Sequence, residues 1–252
     1  MTKTRLKPVD ILAPLVTFVL LFFLWEMIIK INEIPRWFIP PPTAIITSMI
    51  NDFGIYAPHL LISFQTVATG FLIAIPIGIC CAAIVTTFKL LSDMLTPYII
   101  LLVTTPIMTL VPLLMLAMGY GVEVRIVTVV IQAFAIINLN ACTGFLNVPI
   151  LRLELMQSLG ASKLQAFFTV ILPTAVVDVF TGIRLAAVFA TIACISSEYV
   201  GGTTGLGSQI IKHSQFLKTT ESFGCIFWVA VIGISMYAII TLVEKKIVSW
   251  KI

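Results

Sequence analysis

Five windows of this chain contain no charged residue: Ile11–Trp25, Leu60–Phe88, Met94–Val122, Ile126–Leu151 and Ser222–Val243. The hydrocarbon core of a bilayer, about 30 Å thick, is crossed by roughly 20 apolar residues in a helix. Four windows exceed that length, and the first reaches it by taking in Glu26 to Ile29. Hydrophobic residues fill 60% of the 252 positions and charged ones 10%, too few to cover the surface of a water-soluble domain of this size. Lipid is therefore the solvent for most of the chain. The predicted fold class is an all-α polytopic membrane protein with about six transmembrane helices. They are expected near Ile11–Ile29, Leu60–Thr87, Met94–Met118, Val124–Leu146, Val176–Val200 and Phe223–Val243. The fifth must include Asp178 and Arg184 at its start, where side chains can reach the interface.

Basic residues set the expected orientation. With the N-terminus inside, ten of the fifteen Lys and Arg fall in cytoplasmic segments. The external five are Lys30, Arg36, Arg125, Lys212 and Lys218. Both termini, and the polar segment between helices four and five, are thus expected in the cytoplasm. This bias accounts for the formal charge of +4 without a nucleic-acid partner. The first apolar run lacks a small-x-small cleavage site and reads as a retained helix. Cys80, Cys81, Cys142, Cys194 and Cys225 lie in apolar segments as small hydrophobes, with no zinc-like spacing. His59 and His213 are far apart, so no metal site and no cofactor are expected. Residues 1–58 read as an N-terminal helix and an external interfacial segment, and residues 59–250 as the transmembrane domain. In the first part, Ile39–Pro42 makes a stiff turn before a short helix over Thr43–Phe53. Past the fifth helix, Gly201-Gly202 and Gly205–Gly207 break the chain. Ser208–Lys218 then reads as an amphipathic helix lying outside the membrane.

Several features inside the spans are pathway or gate candidates. The second helix has small residues every fourth position at Thr66, Gly70, Ala74, Gly78 and Ala82, and the fifth at Gly182, Ala186, Ala190 and Cys194. Small residues let helix backbones approach closely in lipid. A spacing of four drifts by about 40° per step on a helix of 3.6 residues per turn. Each stripe therefore winds round its helix and cannot face one straight partner throughout. Pro97, Pro106 and Pro112 imply either static kinks or a broken helix at a gate. Glu26 near a helix end reads as interfacial. Glu198 is either an outer-gate group or the acceptor of an interhelical hydrogen bond.

The one long polar segment between membrane-length runs is ordered. Glu154-Leu-Met-Gln-Ser-Leu-Gly160 is followed by nine residues and then Val170-Ile-Leu172-Pro173. It reads as a helix, a glycine break and a second helix closed by Leu-Pro, within a cytoplasmic loop 147–175. No G-x-x-x-x-G-K-[ST], H-E-x-x-H or G-x-S-x-G occurs, so energy for uphill transport must come from a partner or an ion gradient. The segment resembles the EAA coupling loop of binding-protein-dependent ABC importer permeases. Glu154, Gly160, Leu172 and Pro173 match that pattern, Val170 replaces Ile, and Leu155 and Met156 stand at the usual alanines. Further stretches resemble the nitrate/sulfonate/taurine branch: Leu24-Trp25-Glu26, Phe38–Thr43, Ser63–Val67 with Gly70-Phe71 (Thr66 standing where relatives carry Arg), Pro106…Pro112…Gly119, Thr181–Leu185, Glu198 and Gly205-Leu206-Gly207.

The resemblance implies a non-catalytic permease of the prokaryotic inner membrane that works as a pair with a second copy. It implies a cytoplasmic ABC ATPase dimer, held through Glu154, Leu155, Met156, Ser158, Leu159, Gly160, Ala161, Leu172 and Pro173. An extracytoplasmic solute-binding protein would deliver a sulfonate, nitrate, taurine or thiamine-pyrimidine-precursor type of cargo. The alternative is an ion-gradient-driven secondary transporter subunit, which would show inverted repeats that are not evident here.

Overall fold

The computed structural model describes residues 8–248, and every regular element in that range is helical. In chain order they are α1 (Pro8–Ile31), α2 (Pro42–Asn51), α3 (Phe53–Thr87), α4 (Lys89–Thr104), α5 (Ile107–Met118), α6 (Val122–Leu146), α7 (Ile150–Ser158), α8 (Lys163–Ala166), a π-helical turn (Phe167–Ile171), α9 (Leu172–Gly201), α10 (Leu206–Gln215) and α11 (Thr219–Ile247). The loop glycines and prolines separate these elements where the sequence places them. The charge-free windows supply their long apolar interiors.

Glycines reveal the helix directions. A Cβ on Gly70 would lie 2.7 Å from Val129, and one on Gly78 would lie 2.9 Å from Ile137. These contacts advance together, so α3 and α6 run parallel. Gly144 abuts Asp178 and Gly182 abuts Asn140, so α9 runs antiparallel to α6. The chain between the parallel α3 and α6 must therefore return across the bundle through α4 and α5. Gly233 faces Thr191, and Arg184 pairs with Glu244, so α11 runs antiparallel to α9. Trp25 stacks near Phe223 and Phe22 near Phe227, which makes α1 antiparallel to α11. The described residues thus make five helical passes, and six with the bent α4–α5 pair counted as one, with the start of α1, the end of α11 and the α7–α8 segment at one end of the bundle.

α3, α6 and α9 form the core. Lipid tails are as apolar as leucine, so close packing rather than burial from water holds such helices together. Thr66, Gly70, Ala74, Gly78 and Ala82 are all buried. The expected winding of this stripe is taken up by two partners. α6 follows it from Gly70 to Ala82, where the Cys142 thiol points at the Ala82 carbonyl. α9 meets the opposite end at Ser63. α1 buries almost nothing within the chain and turns its leucines and phenylalanines outward.

Three expectations need correction. The third span is not one helix over Met94–Met118: α4 and α5 meet at 105°. Pro106 supplies no N–H and starts α5 from its N-cap, whereas Pro97 and Pro112 sit inside helices without breaking them. Thr104, Thr105 and Thr109 donate their hydroxyls to the carbonyls of Ile100, Leu101 and Pro106 around the break. The second helical run of the polar loop is not closed by Leu172-Pro173. An α-helix would leave the Thr169 carbonyl facing the missing N–H of Pro173. The wide turn Phe167–Ile171 accommodates this, and the helical path continues from Lys163 to Gly201. Finally, the short helix expected over Ser208–Lys218 runs instead from Leu206 to Gln215 as α10. Its Leu206, Ser208, Gln209 and Ile210 are buried, and it packs against α9 and α11.

Candidate functional site: a capped loop and a buried carboxylate

The Glu154–Pro173 region has both of its turns closed by hydrogen bonds. α7 ends in a Schellman motif: Gly160 donates to the Gln157 carbonyl at 2.9 Å and Ala161 to the Met156 carbonyl at 3.0 Å. Gly160 has φ +73°, and a Cβ there would touch nothing, so backbone conformation rather than space selects glycine. Ser162 then opens α8 with a capping box. Its backbone N–H donates to Gln165 Oε1 at 2.8 Å, and its hydroxyl accepts from the Gln165 N–H at 3.3 Å. Arg152 Nη1 donates to Thr174 Oγ1 at 3.1 Å and ties α7 to the start of α9.

α7 buries none of its residues. Leu151, Leu155 and Leu159 recur every fourth position and are 74%, 60% and 72% exposed. Glu154 is exposed beside them and forms no ion pair among the described residues. Met156 and Ala161 are half-buried, Ser158 and Pro173 are exposed, and Leu172 is half-buried under the π turn. Of the predicted loop residues, Leu155 and Leu159 share an exposed apolar stripe with Leu151, Glu154 lies at its edge, and Leu172 and Pro173 stand apart at the start of α9.

The opposite end of the bundle holds a buried polar cluster. Glu198 is wholly buried near the end of α9. Its Oε2 accepts the Gly207 N–H at 2.8 Å, and the Ser63 hydroxyl lies 2.8 and 3.0 Å from its two oxygens. Ser63 Oγ in turn accepts the Leu206 N–H at 2.9 Å, and His59 Nδ1 accepts the Gly205 N–H at 3.1 Å. Side chains of α3 and α9 therefore satisfy the first orphan donors of α10. Gly205 has φ +99°, and a Cβ on it would lie 2.2 Å from Glu198 Cδ. Arg125 is buried alongside and donates to the Thr204 carbonyl at 2.9 Å. Glu26 acts similarly for α2: its carboxylate accepts the Thr43 N–H at 3.1 Å and hydroxyl at 2.8 Å, and pairs with Lys30.

The remaining pathway candidates do not converge. Gly70 and Gly182 are packing points inside the core, and Thr66 donates to its own helix at the Ile62 carbonyl. Pro106 and Pro112 lie on the outward side of α5. Sequence reasoning missed His59, Ser63 and Arg125 as partners of the Gly205–Gly207 turn. No local pattern links residues separated by 79 to 146 positions.

The family model of the binding-protein-dependent transport system inner membrane component matches residues 74–249. The chain belongs to this family: it is a multi-pass permease subunit of an ATP-binding-cassette importer. It is 24% identical over 241 residues to the formylaminopyrimidine transport permease protein ThiX of Halalkalibacterium halodurans, covering 95% of this chain and 96% of that protein. It is 24% identical to the taurine transport system permease protein TauC of Escherichia coli, covering 93% and 88%. Its fold is similar to a crystal structure of an amino acid ABC transporter with histidines, at TM-score 0.62 and 19% identity, covering 79% of this chain and 97% of that one. These similarities favour the importer permease over the ion-gradient-driven transporter.

Proposed function

We propose that this permease lies in the prokaryotic inner membrane with both termini in the cytoplasm and pairs with a second copy. Its loop 147–175 docks on an ABC ATPase dimer, which hydrolyses ATP on its behalf. An extracytoplasmic solute-binding protein delivers a small solute, of the sulfonate, nitrate, taurine or thiamine-pyrimidine-precursor type that its relatives' names suggest. The observation that carries the reading is the exposed Leu151–Leu155–Leu159 stripe on α7, a helix tied by Arg152 to Thr174 at the start of α9 and joined through the Gly160 turn to α8, which continues through the π turn into α9.

Leu155, Met156, Ser158, Leu159 and Ala161 fill a groove on the ATPase in this reading, and Glu154 meets donors at its rim. Gly160 sets the angle between α7 and α8, and Leu172-Pro173 passes movement into α9. Closure of the ATPase dimer then displaces the loop as a rigid body and biases the bundle between two arrangements. Glu198 holds α10 against α3 rather than gating. The α4–α5 break, with backbone groups freed at membrane depth, faces protein or water rather than lipid.

Co-purification with the ATPase tests this. Glu154→Lys is expected to reach the membrane at normal yield and to lose the ATPase. Recovery of the complex at wild-type yield overturns the docking assignment.

A further inference from the structure

Lipid tails offer no hydrogen-bond partner, so a polar side chain exposed on a span within the hydrocarbon must find one elsewhere. Exposed threonines show the usual solution. Thr17, Thr87, Thr104, Thr143 and Thr241 each donate the hydroxyl to a carbonyl of their own helix. One face of α3 departs from this. Gln65 and Thr69 are exposed there, and neither the amide nor the hydroxyl has a hydrogen-bond partner among the described residues.

The same face carries a carbonyl without its helical donor. Pro76 lies inside α3 and brings no N–H to the Leu72 carbonyl one turn before it. Pro76 is exposed, and Leu72 is 64% exposed. Spacings of three and four place residues 65, 69, 72 and 76 on one side of the helix. Amide, hydroxyl and carbonyl thus line up over about 10 Å. The strip turns away from the buried Gly70 and Gly78 and lies inside the charge-free window Leu60–Phe88, at bilayer depth.

We propose that this strip is the seam between two copies of the chain. The inference rests on the pairing proposed above and adds where that pairing is made. Both copies cross the membrane in the same sense, so their two-fold axis runs along the membrane normal and brings equal residues together at equal depth. Gln65 then faces Gln65 of the second copy. A primary amide both donates and accepts, so the two satisfy each other across the axis. Thr69 donates to the Leu72 carbonyl of the second copy. The exposed Leu61, Ile73 and Ile77 flank the strip, and a helix-to-helix seam covers them, whereas a water-filled pathway would leave them wet.

The test uses the full chain with its ATPase in membranes. Thr69→Cys, in a background lacking the five native cysteines, is expected to give a disulfide-linked dimer on oxidation with copper-phenanthroline. Ile234→Cys, at a position 69% exposed on α11, is not. No dimer from Thr69→Cys, an equal yield from Ile234→Cys, or modification of Thr69→Cys by a membrane-impermeant maleimide, the mark of a water-filled pathway, overturns the seam. Gln65→Leu should insert normally and weaken association of the copies in detergent about ten-fold, read by energy transfer between labelled copies. Gln65→Asn, which keeps an amide, should recover part of it. Association of Gln65→Leu as tight as wild type also overturns the proposal. The mass of the wild-type complex separates the two readings. Two copies without the crosslink refute the seam alone, and one copy per ATPase dimer refutes the pairing and the seam with it.

Discussion

Glu198 Oε2 accepts the Gly207 N–H at 2.8 Å, so the last turns of α9 hold the first turn of α10. The carboxylate also meets Ser63, which caps Leu206, and the three elements form one buried unit. Glu198→Ala leaves donors unsatisfied in a low-dielectric site, at a cost of about 3 kcal/mol. Glu198→Gln keeps the shape and an acceptor and should cost less. Melting curves of the two variants in detergent should rank in that order, and equal curves contradict the capping role.

Gly160 occupies the left-handed region at φ +73° with open space around it. Gly160→Ala should therefore cost about 1 kcal/mol locally, and Gly160→Asn less. Global stability should hardly change, because α7 buries nothing. Uptake should fall in Gly160→Ala and recover in Gly160→Asn, and identical uptake in Gly160→Ala and wild type would remove the conformational argument.

Arg184 and Glu244 pair across α9 and α11, both side chains mostly shielded. Reversing one charge, as in Arg184→Glu, strands two like charges in the domain and should cost about 3 kcal/mol. The double reversal Arg184→Glu with Glu244→Arg should recover much of that in a melting experiment. Failure of the double variant to improve on either single one would show that the pair does not join the helices.

His213 lies on α10 with Nε2 buried and without a hydrogen-bond partner among the described residues. Burial pushes its pKa down, Lys218, Lys212 and His59 add to that, and Glu221 opposes it. The unfolded chain thus binds a proton more readily than the folded one, so stability falls as pH drops through the ordinary histidine range near 6.5. His213→Asn should flatten the melting temperature between pH 7.5 and 5.5, on the order of two units about that value. A slope as steep as wild type's would assign the effect elsewhere.

The spans were legible because lipid demands long uncharged helices: four windows satisfied it directly, and the first did so on taking in Glu26 to Ile29. The Gly70–Gly78 stripe was legible because close approach in lipid requires small residues at helical spacing, and both glycines do meet α6. The break at Pro106 was only half visible: three prolines punctuate that span, and composition does not say which one gives way. The Glu198 cluster was not legible as a whole. His59 and Ser63 lie on α3, Arg125 on α6 and the glycine turn after α9, and only the parallel course of α3 and α6, with α9 antiparallel to both, brings them to one end. The continuity of α8 into α9 was misread because Leu-Pro usually ends a helix. A π turn is a tertiary accommodation with no short sequence signature.

Accessibility labelling of Ser162→Cys, in a background lacking the five native cysteines, tests the central claim most directly. A membrane-impermeant maleimide should modify that position in inside-out vesicles and not in intact cells, and added ATPase should protect it. Modification from outside intact cells would place α7 and α8 on the wrong face of the membrane for any nucleotide-driven partner and would contradict the account.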